Sequence, residues 1–404
     1  MPGSCVSALA RRACIAALAA LLSLMACLSG GGEAATLQIG YVGPQGDTPA
    51  PFGPLGRTIR EEGLAGAQLG IADNQTTGKF TDQDFELIPH LLEPGADPAG
   101  AVRSLAASGV KFIVTTLEMP DLLKAADAAG ESGPRLFNAR SSDDALRNEQ
   151  CRAQVLHTVP SRAMLADALA QYLAWKKWRR WFVVIGPTSA DRLYAAALRE
   201  SAKKFGAQIV FEKEWTFRAA NARSDTGHVT LQTEIPSFTR VADHDVLIAA
   251  DEARDFGDYL IGRTALPRPV FGTAGIVATG WSPINVEWGA LQLQNRFARR
   301  FNRGMTAVDY AAWIAVRALG EAATRTRSVE AAALVSYIDG PDFAVSGFKG
   351  RGQSFRPWDG QMRQPILLAG ANLMVSASPQ QGFLHRTSEL DTLGTDREES
   401  KCRK

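Results

Sequence analysis

The sequence lacks the features of a nucleic-acid-binding or membrane-spanning protein. Its 404 residues carry 44 lysines and arginines against 42 aspartates and glutamates, a formal net charge of +2. So small an excess provides no field that would draw the chain to a polyanion, and we expect no nucleic acid partner. After residue 28, no apolar run approaches the roughly 20 residues that span a bilayer. With 46% hydrophobic residues, the chain can still bury a large core, and its length favours two domains.

The sequence is also poor in the motifs of catalytic and metal sites. Its five histidines are scattered, without H-E-x-x-H or C-x-x-C spacing, so no local zinc site is encoded. A G-x-S-x-G hydrolase nucleophile is missing. The segment at 76–79 resembles a phosphate-binding loop, but it follows a helix and lacks the first glycine. The Asp-His-Asp triplet at 243–245 immediately precedes an apolar strand, so we interpret it as a polar turn. The sequence therefore predicts no enzyme, no cofactor and no metal site.

The first 34 residues have the pattern of a secretory signal peptide. Arg11 and Arg12 precede an apolar run that extends to Leu28, and a small-residue segment follows. We predict cleavage near Ala35 and export of the remaining chain. The alternative is a bacterial lipoprotein, because the segment at 24–27 would place an acylated Cys27 at the start of the mature protein.

The cysteines suggest a single disulfide. Cys5, Cys14 and Cys27 lie in the predicted signal peptide, which leaves Cys151 and Cys402 for the exported chain. In an oxidising compartment such a pair favours a bridge, which would tie the charged C-terminal tail to the middle of the chain. Two unpaired thiols are the alternative.

From residue 36 the hydrophobic pattern alternates between strands and helices. Strands are predicted at 36–43, 85–88, 111–117 and 135–139, with helices at 55–71 and 121–130 and a third helix that is capped by Asp97 and ends at Gly109. After a polar stretch at 141–150, helices are predicted at 161–178, 191–206, 288–301 and 307–326, and strands at 181–186, 207–215, 245–251 and 268–275. Repeated βα alternation implies parallel sheets with right-handed crossovers, so we expect an α/β protein with two such units.

Polar residues follow two neighbouring strands of the first unit, at the sheet edge where ligands of parallel sheets bind. The first group is Thr115, Thr116 and Glu118, and the second is Asn138, Arg140, Ser141 and Ser142. We expect Arg140 to bind a ligand, with Asp143 holding its guanidinium in place. The alternative is an ordinary polar loop, in which Arg140 forms a surface salt bridge with Asp143 or Asp144.

The segment GLAGAQLGIADNQTTG at 63–78 follows the first strand, in an exported chain without a catalytic motif. In this the chain resembles the type I periplasmic binding proteins of the branched-chain amino acid class. Further segments are similar to the ABC-transporter substrate-binding proteins associated with PQQ-dependent alcohol dehydrogenase systems. They lie at 73–80, 151–181, 250–260, 288–297, 348–368 and 375–394. The resemblance implies two Rossmann-like lobes with parallel sheets, joined by a hinge of several crossovers.

The resemblance also implies a division of the chain. The first lobe would contain residues 35–156 and 276–338, and the second would contain residues 157–275 and 339–375. Residues 376–404 would form a C-terminal tail, tied back by the disulfide between Cys151 and Cys402.

The ligand set of the amino-acid-binding relatives is only partly retained. Their loops after the third and fourth strands hold the ligand carboxylate, and here Glu118 and Arg140 depart from that pattern. Ala274 and Gly275 stand near the place of the acid that holds the ligand ammonium. The relatives also bind the ligand with tyrosines of the second lobe. The positions of those tyrosines correspond in this chain to the neighbourhood of Asp191 and of Asp251 and Glu252. The resemblance implies a binding set of Thr115, Thr116, Glu118, Asn138, Arg140, Ser141, Ser142, Asp191, Asp251 and Glu252, and it does not imply leucine as ligand.

The function implied by this resemblance is a monomeric periplasmic protein whose lobes close on a small polar solute. The closed form would dock on an inner-membrane ABC permease, and the solute would be linked to PQQ-dependent alcohol oxidation. The alternative is an accessory protein that docks on a quinoprotein alcohol dehydrogenase and transports nothing. Loss of the amino-acid set favours the accessory protein, whereas the retained hydroxyl groups favour the solute-binding protein.

Overall fold

The computed structural model describes residues 35–47, 58–216 and 234–402. The predicted signal peptide, with Cys27, lies outside the described residues, and so does the start of the helix predicted at 55–71.

The first sheet is parallel throughout, as the βα alternation predicts. Its strands are β1 (Ala35–Pro44), β2 (Gln83–Leu92), β3 (Phe112–Thr115), β4 (Arg135–Asn138) and β5 (Val155–His157). They lie in the order β2-β1-β3-β4-β5. All four residues of β3 are buried, because helices cover both faces of such a sheet.

A second sheet contains the later strands. They are β6 (Arg180–Ile185), β7 (Gln208–Glu214), β8 (Val246–Ala250), β9 (Val270–Gly272), β10 (Ile276–Thr279), β14 (Ile366–Ala369) and β15 (Met374–Ser378). The order is β15-β14-β10-β9-β8-β6-β7, with β14 and β15 antiparallel to their neighbours. A small antiparallel sheet contains β11 (Val345–Ser346), β12 (Gly352–Phe355) and β13 (Met362–Arg363).

Helices alternate with these strands. They are α1 (Leu64–Gly78), α2 (Pro98–Ala107), α3 (Met119–Ala129), α4 (Arg162–Trp175), α5 (Ser189–Lys204), α6 (Gly257–Leu260), α7 (Ala290–Phe301), α8 (Ala307–Thr326) and α9 (Ala331–Ile338). Of the described part of the helix predicted at 55–71, residues 58–63 are not helical. The structure starts α1 after Gly63, whose φ of 85° interrupts the helical backbone and whose amide donates to Asp309 Oδ1 on α8 at 2.8 Å.

Each main sheet packs against two of the four hydrophobic clusters that the described residues form. Helices α7 to α9 come late in the chain but pack on the first sheet, where Trp313 shares a core with Ile39 and Phe112. Helices α4 and α5 pack on the second sheet, where Leu169 and Leu198 share its core. We call these two units the first and second lobes.

Strand β10 shows where the chain returns to the first lobe. The resemblance placed this return at residue 276, but Ile276 and Val277 pair with β9, and β10 also pairs with β14. The change of lobe therefore follows Thr279, because the backbone groups of β10 are hydrogen-bonded within the second sheet.

Among the described residues, three crossovers form the hinge, and they follow β5, β10 and β13. Lys349 and Gln364 connect all three. Lys349 Nζ donates to the carbonyl oxygen of Gly280 at 2.7 Å, to that of Pro365 at 3.0 Å and to Gln364 Oε1 at 2.5 Å. Gln364 Nε2 donates to the carbonyl oxygen of Thr158 at 2.8 Å. Because Lys349 is 2% exposed, this connection lies inside the hinge.

The C-terminal tail contacts both lobes. Its strand β15 extends the second sheet, and the amide of Gly394 donates to Asp167 Oδ2 on α4 at 2.8 Å. The chain then reaches the first lobe, where Cys402 forms a disulfide with Cys151. The predicted bridge is confirmed, and two unpaired thiols are excluded.

Candidate functional site

A cleft of about 730 Å³ lies between the two lobes, a volume within the usual range for small-molecule sites. The hinge crossovers hold the two lobes so that one side of each lobe forms a wall of the cleft. Its charged and aromatic lining residues are Glu62, Arg140, Asp251, Glu252, Arg254, Asp258 and Trp281. Its larger apolar lining residues are Ile59, Ile261, Val277, Met305 and Val308.

Arg140 reaches the cleft from the turn after β4. The turn is fixed by Asn138, whose Oδ1 accepts from the amides of Arg140 at 3.1 Å and Ser141 at 2.9 Å. The Arg140 guanidinium then forms ion pairs with Glu118, at 2.8 Å from Nε, and with Glu62, at 3.1 Å from Nη1. Burial lowers the pKa of Arg140, but the two carboxylates outweigh burial and leave it above its ordinary value.

The expectation that Asp143 holds Arg140 is wrong, because Asp143 binds a different arginine. Asp143 Oδ1 accepts from Arg162 Nη1 at 2.6 Å. Arg162 is the first residue of α4. It also forms a bidentate ion pair with Glu252, at 2.8 Å from Nε and 2.7 Å from Nη2. Burial raises the pKa of Glu252, and although Arg162 opposes this, the pKa stays above its ordinary value. Arg162 therefore connects an acid of each lobe beside the cleft.

Asp191 and Asp251 shape the second-lobe wall through backbone hydrogen bonds. Asp191 belongs to the capping box of α5 with Thr188, and its Oδ1 accepts from the amide of Glu252 at 2.6 Å. Asp251 accepts from the amides of Phe256 at 2.9 Å and Gly257 at 2.6 Å. Both carboxylates are buried. They fix the loop that carries Glu252 into the cleft.

The remaining predicted residues bond within the first lobe. Thr115, Thr116, Asn138 and Ser141 are each at most 1% exposed. Thr116 Oγ1 lies 2.7 Å from the Tyr41 hydroxyl, and Ser141 Oγ donates to Asp143 Oδ2 at 2.8 Å.

Thr115 and Ser142 also make bonds inside the protein. Thr115 Oγ1 donates to the carbonyl oxygen of Phe137 at 3.3 Å, and the carbonyl oxygen of Ser142 accepts from the amide of Arg162 at 2.9 Å. Of the ten residues in the predicted set, Arg140, Asp251 and Glu252 line the cleft. That any of the ten binds a ligand stays a prediction.

Sequence reasoning missed several residues of the cleft. Glu62 lies in the turn before α1, in a stretch that was predicted to be helical. Had Gly63 been recognised as the residue that precedes the helix, Glu62 would have been assigned to a turn and considered as a cleft residue. Trp281 lies in the crossover after β10 and stacks on Tyr310 with ring centroids 4.5 Å apart. We find no local sequence signal for Trp281.

The described residues contain neither a cluster of metal ligands nor a helix that could span a membrane. Within 35–47, 58–216 and 234–402, no three His, Cys, Asp or Glu side chains are grouped as metal ligands. In the same ranges no helix combines the length and apolar character needed to cross a membrane.

Comparisons with known proteins agree with this architecture. Residues 36–224 match the family model described as a periplasmic binding protein. A search of curated proteins found no significant match.

Solved structures share the fold over most of the chain. A periplasmic binding protein from Burkholderia mallei has a TM-score of 0.63 and 16% identity, covering 91% of this chain and 98% of its own. A leucine-, isoleucine-, valine-, threonine- and alanine-binding protein from Brucella ovis, in a closed conformation, has a TM-score of 0.62 and 15% identity, covering 83% and 89%. An ABC-transporter solute-binding protein from R. palustris, in complex with benzoate, has a TM-score of 0.62 and 13% identity, covering 91% and 99%. The chain therefore has the type I periplasmic binding protein fold.

Proposed function

We propose that this chain, with its type I periplasmic binding protein fold, is the periplasmic solute-binding component of an ABC transporter. Its ligand would be a small polar solute held between the lobes. The observation that carries the proposal is the cleft of about 730 Å³, to which each lobe contributes charged and apolar side chains. The match of residues 36–224 to a periplasmic binding protein model supports the same function.

Delivery to a permease would depend on the relative position of the two lobes. A solute that contacts both walls of the cleft stabilises the closed form in proportion to the contacts that only this form allows. Arg162 joins Asp143 and Glu252 across the lobes, so closure would also assemble this ion-pair group. An inner-membrane permease would then distinguish the closed protein from the open one.

The chemical class of the solute is a further part of this proposal. The segments at 348–368 and 375–394 are similar to binding proteins of PQQ-dependent alcohol dehydrogenase systems, which supports a solute linked to alcohol oxidation. Such a solute would be an alcohol, its acid product or a molecule related to the cofactor.

The test is mass spectrometry of small molecules that leave the protein on denaturation after gentle osmotic-shock purification. We expect one solute in stoichiometric amount. Ala253→Trp places a large side chain at an exposed position of the cleft lining and should abolish this solute. Ala196→Trp, at an exposed position on α5, is the matched control and should retain it. Equal recovery from both variants would place the solute outside the cleft.

A second candidate function is the accessory docking partner of a quinoprotein alcohol dehydrogenase. It is favoured by the pairing of Arg140 with Glu62 and Glu118 and of Glu252 with Arg162, because these groups bind one another in this structure. A solute-free protein that co-purifies with such a dehydrogenase would support this function and contradict the transport function.

A further inference from the structure

The described lining of the cleft has an excess of negative charge. Within residues 35–47, 58–216 and 234–402, the lining contains four carboxylates, from Glu62, Asp251, Glu252 and Asp258, and two guanidinium groups, from Arg140 and Arg254. Arg254 and Asp258 are both exposed to solvent, where water and salt screen their charges. The electrostatic character of the cleft therefore depends mainly on groups that are partly or fully buried.

The positive charge of Arg140 is already balanced by neighbouring carboxylates. Its side chain is 23% exposed and contacts Glu62, whose side chain is 9% exposed, as well as the more exposed Glu118. One positive charge thus has two carboxylate partners. A solute carboxylate bound to Arg140 would be a third anion on the same cation, and like charges at such distances repel.

Arg162 shows the same pattern beside the cleft. It is shared between Asp143 and Glu252, with side-chain exposures of 9%, 14% and 24% for the arginine and the two acids. Neither buried guanidinium therefore has the surplus positive charge that would attract an anion.

Arg140 nevertheless retains hydrogen-bond donors. Two of its N–H groups bond to Glu118 and Glu62. An arginine has five, and the other three meet no acceptor among the described residues. A solute atom that accepts from Arg140 would lie close to the carboxylates of Glu62 and Glu118, which bond to the same guanidinium.

A hydroxyl group fits donors and carboxylates that lie side by side. It accepts through oxygen and donates its hydrogen, whereas a carboxylate only accepts and an ammonium group only donates. Ile59, Ile261, Val277, Met305 and Val308 supply apolar lining for a carbon skeleton.

We propose that the cleft binds a neutral, hydroxyl-bearing solute, an alcohol or polyol, and discriminates against carboxylates. This inference rests on the proposed solute-binding function and narrows its ligand class.

The test is titration calorimetry of the full exported chain with probes that differ only in head group. Benzyl alcohol, benzoate and benzylamine form one set, and butan-1-ol, butyrate and butylamine form another. Glycerol and xylitol represent polyols. We expect a hydroxyl compound to bind at least tenfold more tightly than its matched carboxylate and amine.

A charge variant tests whether the carboxylates that surround Arg140 cause the discrimination against carboxylate solutes. Glu62→Gln removes one of the two carboxylates that compensate Arg140, so the affinity ratio of carboxylate to alcohol should rise about tenfold. Glu212→Gln breaks an arginine–glutamate pair with Arg199 on the second lobe. It is the matched control and should leave the ratio unchanged.

The outcomes separate this inference from the proposed function. Tightest binding by benzoate, butyrate or an amine would overturn the hydroxyl class and still support a solute-binding protein. No binding by any hydroxyl compound would also overturn it. If in addition no solute co-purifies with the wild-type protein, the solute-binding function falls as well.

Discussion

Arg162 on α4 donates to Asp143 of the first lobe at 2.6 Å. Because the same guanidinium holds Glu252 of the second lobe, the bond joins the lobes beside the cleft. Removing one partner of a buried ion pair leaves an uncompensated charge, which costs more than the pair contributes.

We therefore predict that Arg162→Met lowers the free energy of unfolding by about 3 kcal/mol, the lower end of the cost of breaking a buried pair. Urea denaturation followed by circular dichroism measures this. Arg199→Met, which removes the exposed pair with Glu212, is the control and should cost about 0–1 kcal/mol. Equal losses in the two variants would contradict a special role for Arg162.

Lys349 should make stability depend on alkaline pH. Burial holds its pKa well below the ordinary value, so between the folded pKa and about 10.4 the unfolded chain binds more protons than the folded one. The free energy of unfolding should then rise with pH in this window. Lys349→Met lacks the group, so wild type should gain stability relative to the variant as pH increases toward about 10. Parallel pH profiles in urea denaturation would refute this.

The disulfide between Cys151 and Cys402 should contribute strongly to stability. The two cysteines are 251 residues apart, and closing so long a loop restricts the unfolded chain, by roughly 5 kcal/mol in the chain-entropy model. We expect the double variant Cys151→Ser, Cys402→Ser to unfold at a lower urea concentration than the oxidised wild type. Dithiothreitol should shift the wild type and leave the double variant unchanged. A shift of equal size in both proteins would assign the effect to something other than this bridge.

Arg140 is the first-lobe residue whose loss should weaken solute binding most directly. In Arg140→Ala a charge-assisted hydrogen bond to the co-purified solute is lost, an effect of roughly 1.5–3 kcal/mol, or about ten- to a hundredfold in affinity. Calorimetry with that solute measures it. Arg268→Ala, which removes an exposed pair with Asp243, is the control and should bind normally. Unchanged affinity in Arg140→Ala would limit this arginine to its pairs with Glu62 and Glu118.

Local sequence determined most of the secondary structure. The helix predicted at 307–326 has these bounds in α8, and its start is set by the capping box of Thr306 and Asp309, which lies within four consecutive residues. Asp97 likewise caps α2, accepting from the amide of Ala99 at 3.0 Å. Hydrophobic periodicity located most of the buried strands but missed β5, and the cysteine inventory was enough to predict the bridge.

The tertiary structure alone decided the start of α1, the sheet to which β10 belongs, and the partners of the cleft residues. Arg140 lies 78 residues from Glu62, and Arg162 lies 90 from Glu252. No periodicity or capping pattern relates positions so far apart, because it is the packing of separate elements that brings them together. The sequence by itself therefore determined most of the strands and helices, and only folding decided which charges compensate one another around the cleft.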